Sequence, residues 1–585
     1  MKRSFPLILF LLALGCASAP PAPAPPVHLV VVGTTDVHGW FNGHVETPPG
    51  GGAGVVWGGL PVFASYVAAL RAQNPGRVVV VDSGDMFQGT LESNLFEGEA
   101  VVRGYNIIGY SAAAIGNHEF DFGPVGPNAV AREPGQDPLG ALKRNAALAT
   151  FPMLSANMVE KSTGQTPSWA RRFTIVRAGG VRLGIIGLST PDTPATTMIA
   201  NVATLQFTDP AEAVVREAKA LREQGVDAII VVAHIGGRCT DLSDPHALGT
   251  CEKQQEAMEL LEKIPPGTID GFFAGHTHAQ MRHYVNGVPA LQGLAYSREF
   301  STLDLWIDPK SDKVTRSELR PHTMICSFVY DGTDQCDPKK APKGAALVPR
   351  VFNGATIAAD TRVATTLEPY LRRVAAKRDA KIGIRTAAPF TRSYFSESPL
   401  GDLLADALRE ATGADIAFMN SGGIRTDFPA GELTYGDLFA VSPFDNFPAV
   451  VELTGAQIVD ILRATTNGAR GIMQVSGLRY TYDQARDADK PPAQKDRFVS
   501  ATLANGQPLD PQKLYRVAMP DFIAAGGDGA DQVMAQVPPA RVVVLYAKAI
   551  RDAVVEPLAR RPQPLAPKTE GRITVLNEKR GSSDG

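Results

Sequence analysis

The sequence has 585 residues, of which 44% are hydrophobic and 20% are charged, and its formal net charge is −3. A chain of this length exceeds one ordinary hydrophobic core, so we expect two large or three small domains, and the composition excludes a mostly disordered protein. The small net charge argues against a general nucleic-acid-binding surface, so an anionic substrate has to be held by metal ions or by a few arginines.

The N-terminus has the pattern of an export signal. Lys2 and Arg3 precede an apolar run over 5–14, which is too short to cross a bilayer. The sequence Leu-Gly-Cys-Ala at 14–17 resembles the cleavage box of a bacterial lipoprotein, so we expect a lipid on Cys16. An ordinary signal peptide cut a few residues later is the alternative. The Pro/Ala-rich segment 17–26 is predicted to be an extended tether, and the protein to be exported to the periplasm or outer membrane.

Four further cysteines form two sequence-local pairs. They are Cys239 and Cys251, and Cys326 and Cys336. An oxidising compartment permits a disulfide bond within each pair, whereas other pairings and four free thiols remain open.

From residue 27 onward, strand-like apolar runs alternate with helical segments. The runs are 28–33, 77–81, 112–115, 153–155, 181–188, 226–233 and 269–274, and the helical segments between them include 60–72 and 210–224. This alternation predicts a layered α/β domain over 27–337. The glycine-rich segment 50–59 is predicted to be a surface loop.

A connector and a second domain follow. The connector covers 338–383 and contains a charged, helix-like stretch at 365–377. The pattern over 384–576 predicts a separate α/β domain, and 577–585 is a polar tail. Its clearest elements are a helix at 400–411 and strands at 414–419, 449–453 and 514–519.

Several of the N-terminal runs stop at a polar cluster, and ligand sites in α/β sheets form at the carboxyl ends of strands. The candidate metal ligands in these clusters are Asp36, His38, Asp85, Asn117, His234, His276 and His278. Carboxylate, amide and imidazole groups without a thiolate suit Zn, Mn, Fe or Co. Each cluster alone is weak evidence, but five of the ten histidines fall within them, namely these four and His118.

Three loop sequences of the second domain are candidates for substrate binding. Asn420 and Arg425 bracket a Gly-Gly turn, where the backbone can approach a ligand closely. The guanidinium group of Arg425 supplies a permanent positive charge that can bind phosphate or carboxylate through two N–H groups. Phe444 and Phe522 lie in the other two loops and could stack on both faces of a base, although loop phenylalanines are usually buried beneath their own loop.

The N-terminal motifs resemble those of the calcineurin-like metallophosphoesterase superfamily. They are Thr-Asp-Val-His-Gly at 35–39, Asp-Ser-Gly-Asp at 82–85, Gly-Asn-His-Glu-Phe-Asp at 116–121 and Gly-His-Thr-His at 275–278. The resemblance is closest to the 5′-nucleotidase branch, which includes periplasmic UDP-sugar hydrolases and 2′,3′-cyclic phosphodiesterases. It extends over nearly all of 27–575. It implies a four-layer α/β/β/α metallophosphoesterase domain followed by a C-terminal α/β 5′-nucleotidase domain.

The resemblance also implies roles in the metal centre. Asp36, His38 and His278 would bind one of two divalent cations, Asn117, His234 and His276 would bind the other, and Asp85 would bridge them. Some relatives have glutamine at the position of His278. His118, next to Asn117, is the candidate for stabilising charge and assisting the leaving alcohol, and Asp121 would orient it.

In the second domain, the resemblance assigns the base to Phe444 and Phe522, the ribose to Asp528, and further substrate contacts to Asn420 and Arg425. The chain departs from the family at one point. Relatives often carry an arginine just before the helix that begins here near 399, where this chain has Ser-Glu-Ser at 396–398. Arg392 lies several residues upstream and is the candidate replacement.

The leading hypothesis is an exported enzyme that hydrolyses 5′-nucleotides to nucleoside and phosphate, using a hydroxide generated by two divalent cations. Within the same family, a UDP-sugar hydrolase or a cyclic-nucleotide phosphodiesterase is the alternative, and a thiosulfohydrolase shares the scaffold. A non-catalytic nucleotide-binding surface protein is the alternative of another class. The predicted partner is a nucleotide or nucleotide derivative, with no nucleic acid, and with membrane contact only through a lipid on Cys16. The oligomeric state cannot be read from the sequence.

Overall fold

The computed structural model describes residues 25–46, 55–126, 128–468, 470–491 and 494–578. The predicted signal segment, Cys16 and most of the tether and the polar tail lie outside these residues. Within the described ranges, no helix combines the length and the apolar character needed to cross a membrane.

The N-terminal part contains the following elements. The strands are β1 (Val27–Thr34), β2 (His44–Glu46), β3 (Val55–Trp57), β4 (Val78–Asp82), β5 (Ala112–Ala114), β6 (Met153–Leu154), β7 (Met158–Glu160), β8 (Phe173–Ala178), β9 (Val181–Ser189), β10 (Leu205–Phe207), β11 (Ala228–His234), β12 (Gly271–Phe273), β13 (Met281–Val285), β14 (Val288–Gln292), β15 (Glu299–Asp308), β16 (Lys313–Leu319), β17 (Thr323–Met324), β18 (Phe328–Tyr330), β19 (Leu347–Pro349), β20 (Val351–Phe352) and β21 (Ala355–Thr356). The helices are α1 (Leu60–Gln73), α2 (Leu91–Asn94), α3 (Glu99–Ile108), α4 (Gly140–Leu148), α5 (Thr193–Thr196), α6 (Ile199–Val202), α7 (Pro210–Glu223), α8 (Glu256–Lys263) and α9 (Thr361–Arg378).

Two sheets form the centre of this part. One has the strand order β16-β15-β1-β4-β5-β6, with β17 paired to β15, and the other has the order β13-β14-β12-β11-β9-β8. Leu29 and Val31 of β1 belong to the same buried cluster as Ile185 of β9 and Ile230 of β11, so the sheets pack face to face. Both faces of the central strands are covered, which explains why β4 reads as an uninterrupted valine run.

Helices cover the outer face of each sheet. Side chains alternate along a strand, so Val30 and Val32 of β1 point away from the second sheet and pack with α1 and α3. On the other side, Val231 of β11 packs with Leu221 of α7 and Leu260 of α8. The four-layer α/β/β/α arrangement is confirmed.

The predicted surface loop at 50–59 is wrong at its C-terminal end. Residues 55–57 form β3, which pairs with β2, and Trp57 is buried against the Cys326 region. Three residues are too few for a visible alternation, and the surrounding glycines conceal the strand. Residues 50–54 lie outside the described part of the chain.

The connector helix is longer than its charge pattern predicts. α9 begins about one turn before the predicted residue 365, because the side chain of Asp360 accepts hydrogen bonds from the backbone N–H groups of Arg362 and Val363. Val363 and Leu367 pack into the N-terminal core. This helix therefore packs with the N-terminal part.

The C-terminal part contains the remaining elements. Its strands are β22 (Lys381–Thr386), β23 (Ile416–Asn420), β24 (Gly431–Thr434), β25 (Pro448–Thr454), β26 (Met473–Ser476), β27 (Leu478–Asp483), β28 (Phe498–Leu503), β29 (Leu514–Pro520), β30 (Val542–Val544) and β31 (Ile573–Leu576). Its helices are α10 (Pro399–Thr412), α11 (Tyr435–Val441), α12 (Gly455–Thr465), α13 (Asp521–Ala524), α14 (Asp531–Met534), α15 (Ile550–Ala553) and α16 (Val555–Ala559).

A five-stranded sheet of order β26-β23-β29-β25-β30 organises this second α/β domain. Leu404 and Leu408 of α10 pack on one face of the sheet, and Ile458 and Leu462 of α12 pack on the other. α10 begins after Ser398, whose hydroxyl accepts from Gly401 N, and Pro399 fits its first turn.

Asp402, in the first turn of α10, gives a pH-dependent prediction. Burial raises the pKa of Asp402 from 3.8 to about 8, although the charge of Arg572 opposes the rise. The unfolded chain therefore ionises near pH 4, while the folded protein keeps the proton, and stability falls as pH rises from about 4 to about 8. Asp402→Asn removes this effect, so we expect a higher Tm than wild type at pH 9 and little difference at pH 4.

Thermal unfolding at both pH values checks this prediction, with Asp406→Asn as the control. Asp406 bonds Arg572 through both carboxylate oxygens, at 2.7 and 2.9 Å, so its replacement should lower Tm at pH 9. A lower Tm for Asp402→Asn at pH 9 would show that the ionised carboxylate stabilises the fold.

Candidate active site

The predicted metal ligands come from strand ends of both sheets. Asp36, Asp85 and Asn117 follow β1, β4 and β5, which are neighbours in the first sheet, whereas His234 ends β11 and His276 and His278 follow its neighbour β12. Because the sheets pack face to face, the loops at their common edge meet in space. Residues separated by about 240 positions thereby become neighbours.

The backbone at these positions is unusual. Five of the seven predicted ligands have positive φ angles, namely Asp36 (49°), His38 (48°), Asp85 (55°), His276 (80°) and His278 (53°). Non-glycine residues in this region cost about 1–3 kcal/mol each and tend to cluster at functional sites. The surrounding fold therefore holds these ligands in a conformation that local sequence preference opposes.

Asp36, His38 and His278 form one group whose ligand atoms lie close together. The Nε2 atoms of His38 and His278 are 2.9 Å apart, and His278 Nε2 is 3.4 Å from Asp36 Oδ1. Asp36 is fully buried, and its carboxylate also accepts the backbone N–H of His276 at 3.0 Å.

Asp85, His234 and His276 form the second group. His234 Nε2 lies 3.0 Å from Asp85 Oδ2 and 3.2 Å from His276 Nδ1. The same Asp85 oxygen is 3.6 Å from His38 Nε2, so this carboxylate connects the two groups. Burial opposes the ionisation of Asp85, but His234 and His118 hold its pKa well below the ordinary value.

The donors fit divalent cations. His38 Nδ1 bonds to Gln88 O at 2.7 Å and His234 Nδ1 bonds to Ser83 O at 2.9 Å, so in both rings Nε2 is directed at the carboxylates. Asn117 Nδ2 donates to Thr196 O, while its Oδ1 atom is buried with no hydrogen-bond partner among the residues the structure describes. Such an orphaned carbonyl oxygen beside imidazoles and carboxylates is suited to a metal ion.

His118 and Asp121 form the predicted dyad geometry. His118 Nδ1 is 2.6 Å from Asp121 Oδ2, and Thr197 Oγ1 donates to the other Asp121 oxygen at 2.7 Å. Burial lowers the pKa of His118, but the carboxylates of Asp121 and Asp85 outweigh it and raise the pKa above its ordinary value. The imidazole is thus held in a fixed orientation, with Nε2 as the atom available to a substrate.

Glu119 has a structural role that the sequence analysis did not assign. Its carboxylate accepts the backbone N–H groups of Asp85, Met86 and Gly116 at 2.7–2.8 Å. Burial and the charge of Asp85 raise its pKa to about 8. Glu119 ties the Asp85 loop to the Asn117 loop, and its only sequence signal is its place inside the 116–121 motif.

A cavity of about 860 Å³ joins this cluster to the C-terminal domain. All six predicted substrate contacts line it, namely Arg392, Asn420, Arg425, Phe444, Phe522 and Asp528. Asp85, Asn117, His118, His276 and His278 form the wall contributed by the N-terminal part. The structure thus brings all six predicted substrate contacts and four of the seven predicted metal ligands to one cavity, whereas Asp36, His38 and His234 are not among its lining residues.

Three of these predicted substrate contacts have defined neighbours. Asn420 Nδ2 donates to Asp528 Oδ2 at 2.7 Å, and Asn420 Oδ1 is buried and unpaired within the described part of the chain. Arg425 crosses to the other domain, where its Nη2 is 3.2 Å from His38 Nε2. The Phe444 ring lies 5.6 Å from the His118 ring, so it adjoins the predicted dyad.

Near the position where relatives have an arginine, the cavity wall contains Arg392 and Tyr394. The backbone N–H of Arg392 donates to Asp427, and Ser396 bonds within its own loop to Ser393. Arg470 also lines the cavity, and the sequence analysis missed both Arg470 and Tyr394. Arg470 lies between glycines at 468 and 471, and Arg425 follows glycines at 422–423, so this shared pattern could have identified Arg470 as a candidate. No sequence pattern marks Tyr394.

Comparison with known proteins gives consistent similarities. The family model for calcineurin-like phosphoesterases matches residues 29–280, and the model for the 5′-nucleotidase C-terminal domain matches residues 375–536. The chain is 29% identical to Protein UshA of Yersinia enterocolitica over 524 residues, with 86% of each chain covered. It is 27% identical to a 5′-nucleotidase of Vibrio vulnificus over 549 residues, with 88% of each covered.

A similar solved structure is that of a 5′-nucleotidase precursor from Thermus thermophilus. It superposes with a TM-score of 0.73 at 25% sequence identity, and the match covers 94% of this chain and 100% of the other. The similarity therefore extends over both domains.

Proposed function

Because this chain belongs to the 5′-nucleotidase family of the calcineurin-like metallophosphoesterases and is therefore a hydrolase, we propose that it hydrolyses 5′-nucleotides to nucleoside and phosphate outside the cytoplasm. The observation that carries the proposal is the single cavity that joins the Asp/His cluster to Asn420, Phe444, Phe522 and Asp528. A phosphate at the cluster and a nucleoside between the loops would occupy that cavity together.

Two divalent cations would be held by the clustered ligands. One cation would be held by Asp36, His38 and His278, and the other by Asn117, His234 and His276. Asp85 would be a ligand of both cations. When bound, such cations supply a hydroxide nucleophile at neutral pH and neutralise phosphoryl charge.

The chain's own residues then position the substrate. Arg425 presents a fixed cation beside the ligand cluster, where it would bind phosphoryl oxygens bidentately. Asp528 and Asn420 would accept and donate hydrogen bonds at the ribose, and the paired phenylalanines would stack on the base. His118, oriented by Asp121, would donate a proton to the departing 5′ oxygen.

The domain limits and the export route are part of the proposal. We place the domains at 27–337 and 384–576, joined by 338–383, and expect them to rotate during turnover. Contacts across the cavity would have to break, including the one between Arg470 and Asp192 at 2.7 Å.

Disulfide bonds join Cys239 to Cys251 and Cys326 to Cys336, which supports an oxidising compartment. A lipid on Cys16 would anchor the protein there.

The test is a substrate and metal panel on purified protein. Chelation should abolish phosphate release, and Mn, Zn, Co and Mg added back separately should identify the cation that restores it. We expect AMP to be the preferred substrate over UDP-glucose and 2′,3′-cyclic AMP; a reversed order would assign the protein to one of those activities instead. No hydrolysis of any of the three, together with no retained metal by elemental analysis, would overturn the enzymatic proposal in favour of a binding protein.

Replacing either cavity phenylalanine should weaken nucleotide binding selectively. Phe444→Leu or Phe522→Leu should raise KM for AMP by about 5- to 150-fold, since aromatic stacking contributes about 1–3 kcal/mol per base. 4-Nitrophenyl phosphate has no base, so its KM should change little. Phe428→Leu is the matched control, because Phe428 is fully buried and is not among the residues that line the cavity, so its replacement should affect only Tm. Equal losses on both substrates would place the two rings outside the base site.

A further inference from the structure

Gln88 lies at the metal-ligand end of the cavity, and its side chain has no role in the site described above. It follows Asp85 by three residues, and its backbone carbonyl holds His38 Nδ1 at 2.7 Å. Gln88 is among the residues that line the cavity, although it is only 1% exposed. Gln88 therefore reaches the same space as the metal ligands without being one of the predicted ligands.

The amide of Gln88 is unsatisfied. Both Oε1 and Nε2 are buried, and neither has a hydrogen-bond partner in the portion of the chain that the structure describes. Buried Gln474 is a contrast: its Oε1 accepts from Ser398 N, and its Nε2 donates to Ser396 O and Ser421 Oγ. An unpaired buried amide costs stability, so a fold that keeps one at a ligand cavity points to a ligand as the missing partner.

We propose that Gln88 is a substrate-contact residue whose Nε2–H donates to a phosphoryl oxygen; this inference rests on the proposed phosphoesterase function. The base-stacking and ribose residues belong to the C-terminal domain, whereas Gln88 is on the Asp85 loop of the other wall. The substrate atoms that reach this wall are those of the phosphoryl group, and they are acceptors. A neutral amide can donate to them without changing the charge of the ligand cluster.

Two variants separate this role from simple packing. Gln88→Met keeps the length of the side chain but removes both polar atoms, and Gln88→Glu replaces the donor with a negative charge. Loss of a hydrogen bond to a charged group corresponds to about a 10- to 100-fold change. We expect Gln88→Met to lower kcat/KM for AMP and to raise the Ki for inorganic phosphate by such factors, with a larger effect for Gln88→Glu. The Ki for adenosine should stay unchanged.

Thermal unfolding of the metal-free protein is the second readout. Gln88→Met should have a Tm equal to or above that of wild type, because it removes two unsatisfied polar atoms. The matched change Gln474→Met should lower Tm, because it removes satisfied hydrogen bonds.

Three outcomes would overturn the proposal. They are wild-type phosphate inhibition in Gln88→Met, a rise in the Ki for adenosine instead of phosphate, and a Tm loss in both Gln88 variants as large as that of Gln474→Met. Failure of the proposed function is recognised separately, because wild-type protein would then hydrolyse no nucleotide. Calorimetric titration of inorganic phosphate into metal-loaded wild type and Gln88→Met would still test the contact.

Discussion

Asp85→Asn is expected to reduce hydrolysis of AMP by about a thousandfold or more, since metal ions contribute several kcal/mol of transition-state stabilisation. The reason is the position of Asp85, whose Oδ2 atom is 3.0 Å from His234 and 3.6 Å from His38. An amide has one neutral oxygen in place of a shared anionic group, so both cations should bind more weakly. Elemental analysis should find less than the wild-type metal content.

The control for Asp85→Asn is the same change at another buried aspartate. Asp304 on β15 is 3% exposed and forms an ion pair with Arg320 away from the cavity. Asp304→Asn should lower Tm yet leave the metal content and the turnover per folded molecule close to wild type. Substantial turnover by Asp85→Asn at full metal occupancy would refute the shared-ligand role.

His118→Asn is expected to lower kcat for AMP by about 10²- to 10⁴-fold, the usual contribution of general acid–base catalysis. The variant should keep its metal ions, because His118 is not among the predicted ligands. The loss should be much smaller for 4-nitrophenyl phosphate, since its leaving group departs as a stable anion and needs little protonation. Comparing kcat on the two substrates is the measurement.

Replacing Asp121 or Thr197 tests the same dyad through the residues that orient the His118 imidazole. Asp121→Asn removes the carboxylate 2.6 Å from His118 Nδ1, so kcat should fall by less than in His118→Asn but with the same dependence on the leaving group. Thr197→Val removes only the hydroxyl that bonds to Asp121 and should have the smallest effect. An equal loss on both substrates in His118→Asn would mean that His118 stabilises phosphoryl charge and does not assist the leaving group.

Sequence patterns predicted much of the fold because its strands are buried on both faces. β4 and β11 are continuous apolar runs that stop at polar residues, so both their positions and the location of the candidate site could be predicted directly. Elements that are short or lack a clear hydrophobic pattern were harder to predict from the sequence. The three residues of β3 lack a visible period, and the first turn of α9 depends on a cap at Asp360 that its charge pattern did not reveal.

By itself, the sequence determined the types of donor in the site and their places at strand ends, since both are local properties of the motifs. Only the tertiary structure decided which atoms meet: the packing of the two sheets brings His38 within 2.9 Å of His278, and domain contact brings Arg425 within 3.2 Å of His38. The three backbone contacts of Glu119 were also invisible in the sequence, as was the Gln88 amide, which has no partner among the described residues. Burial and hydrogen-bond satisfaction depend on residues distant in the chain, and no local pattern encodes them.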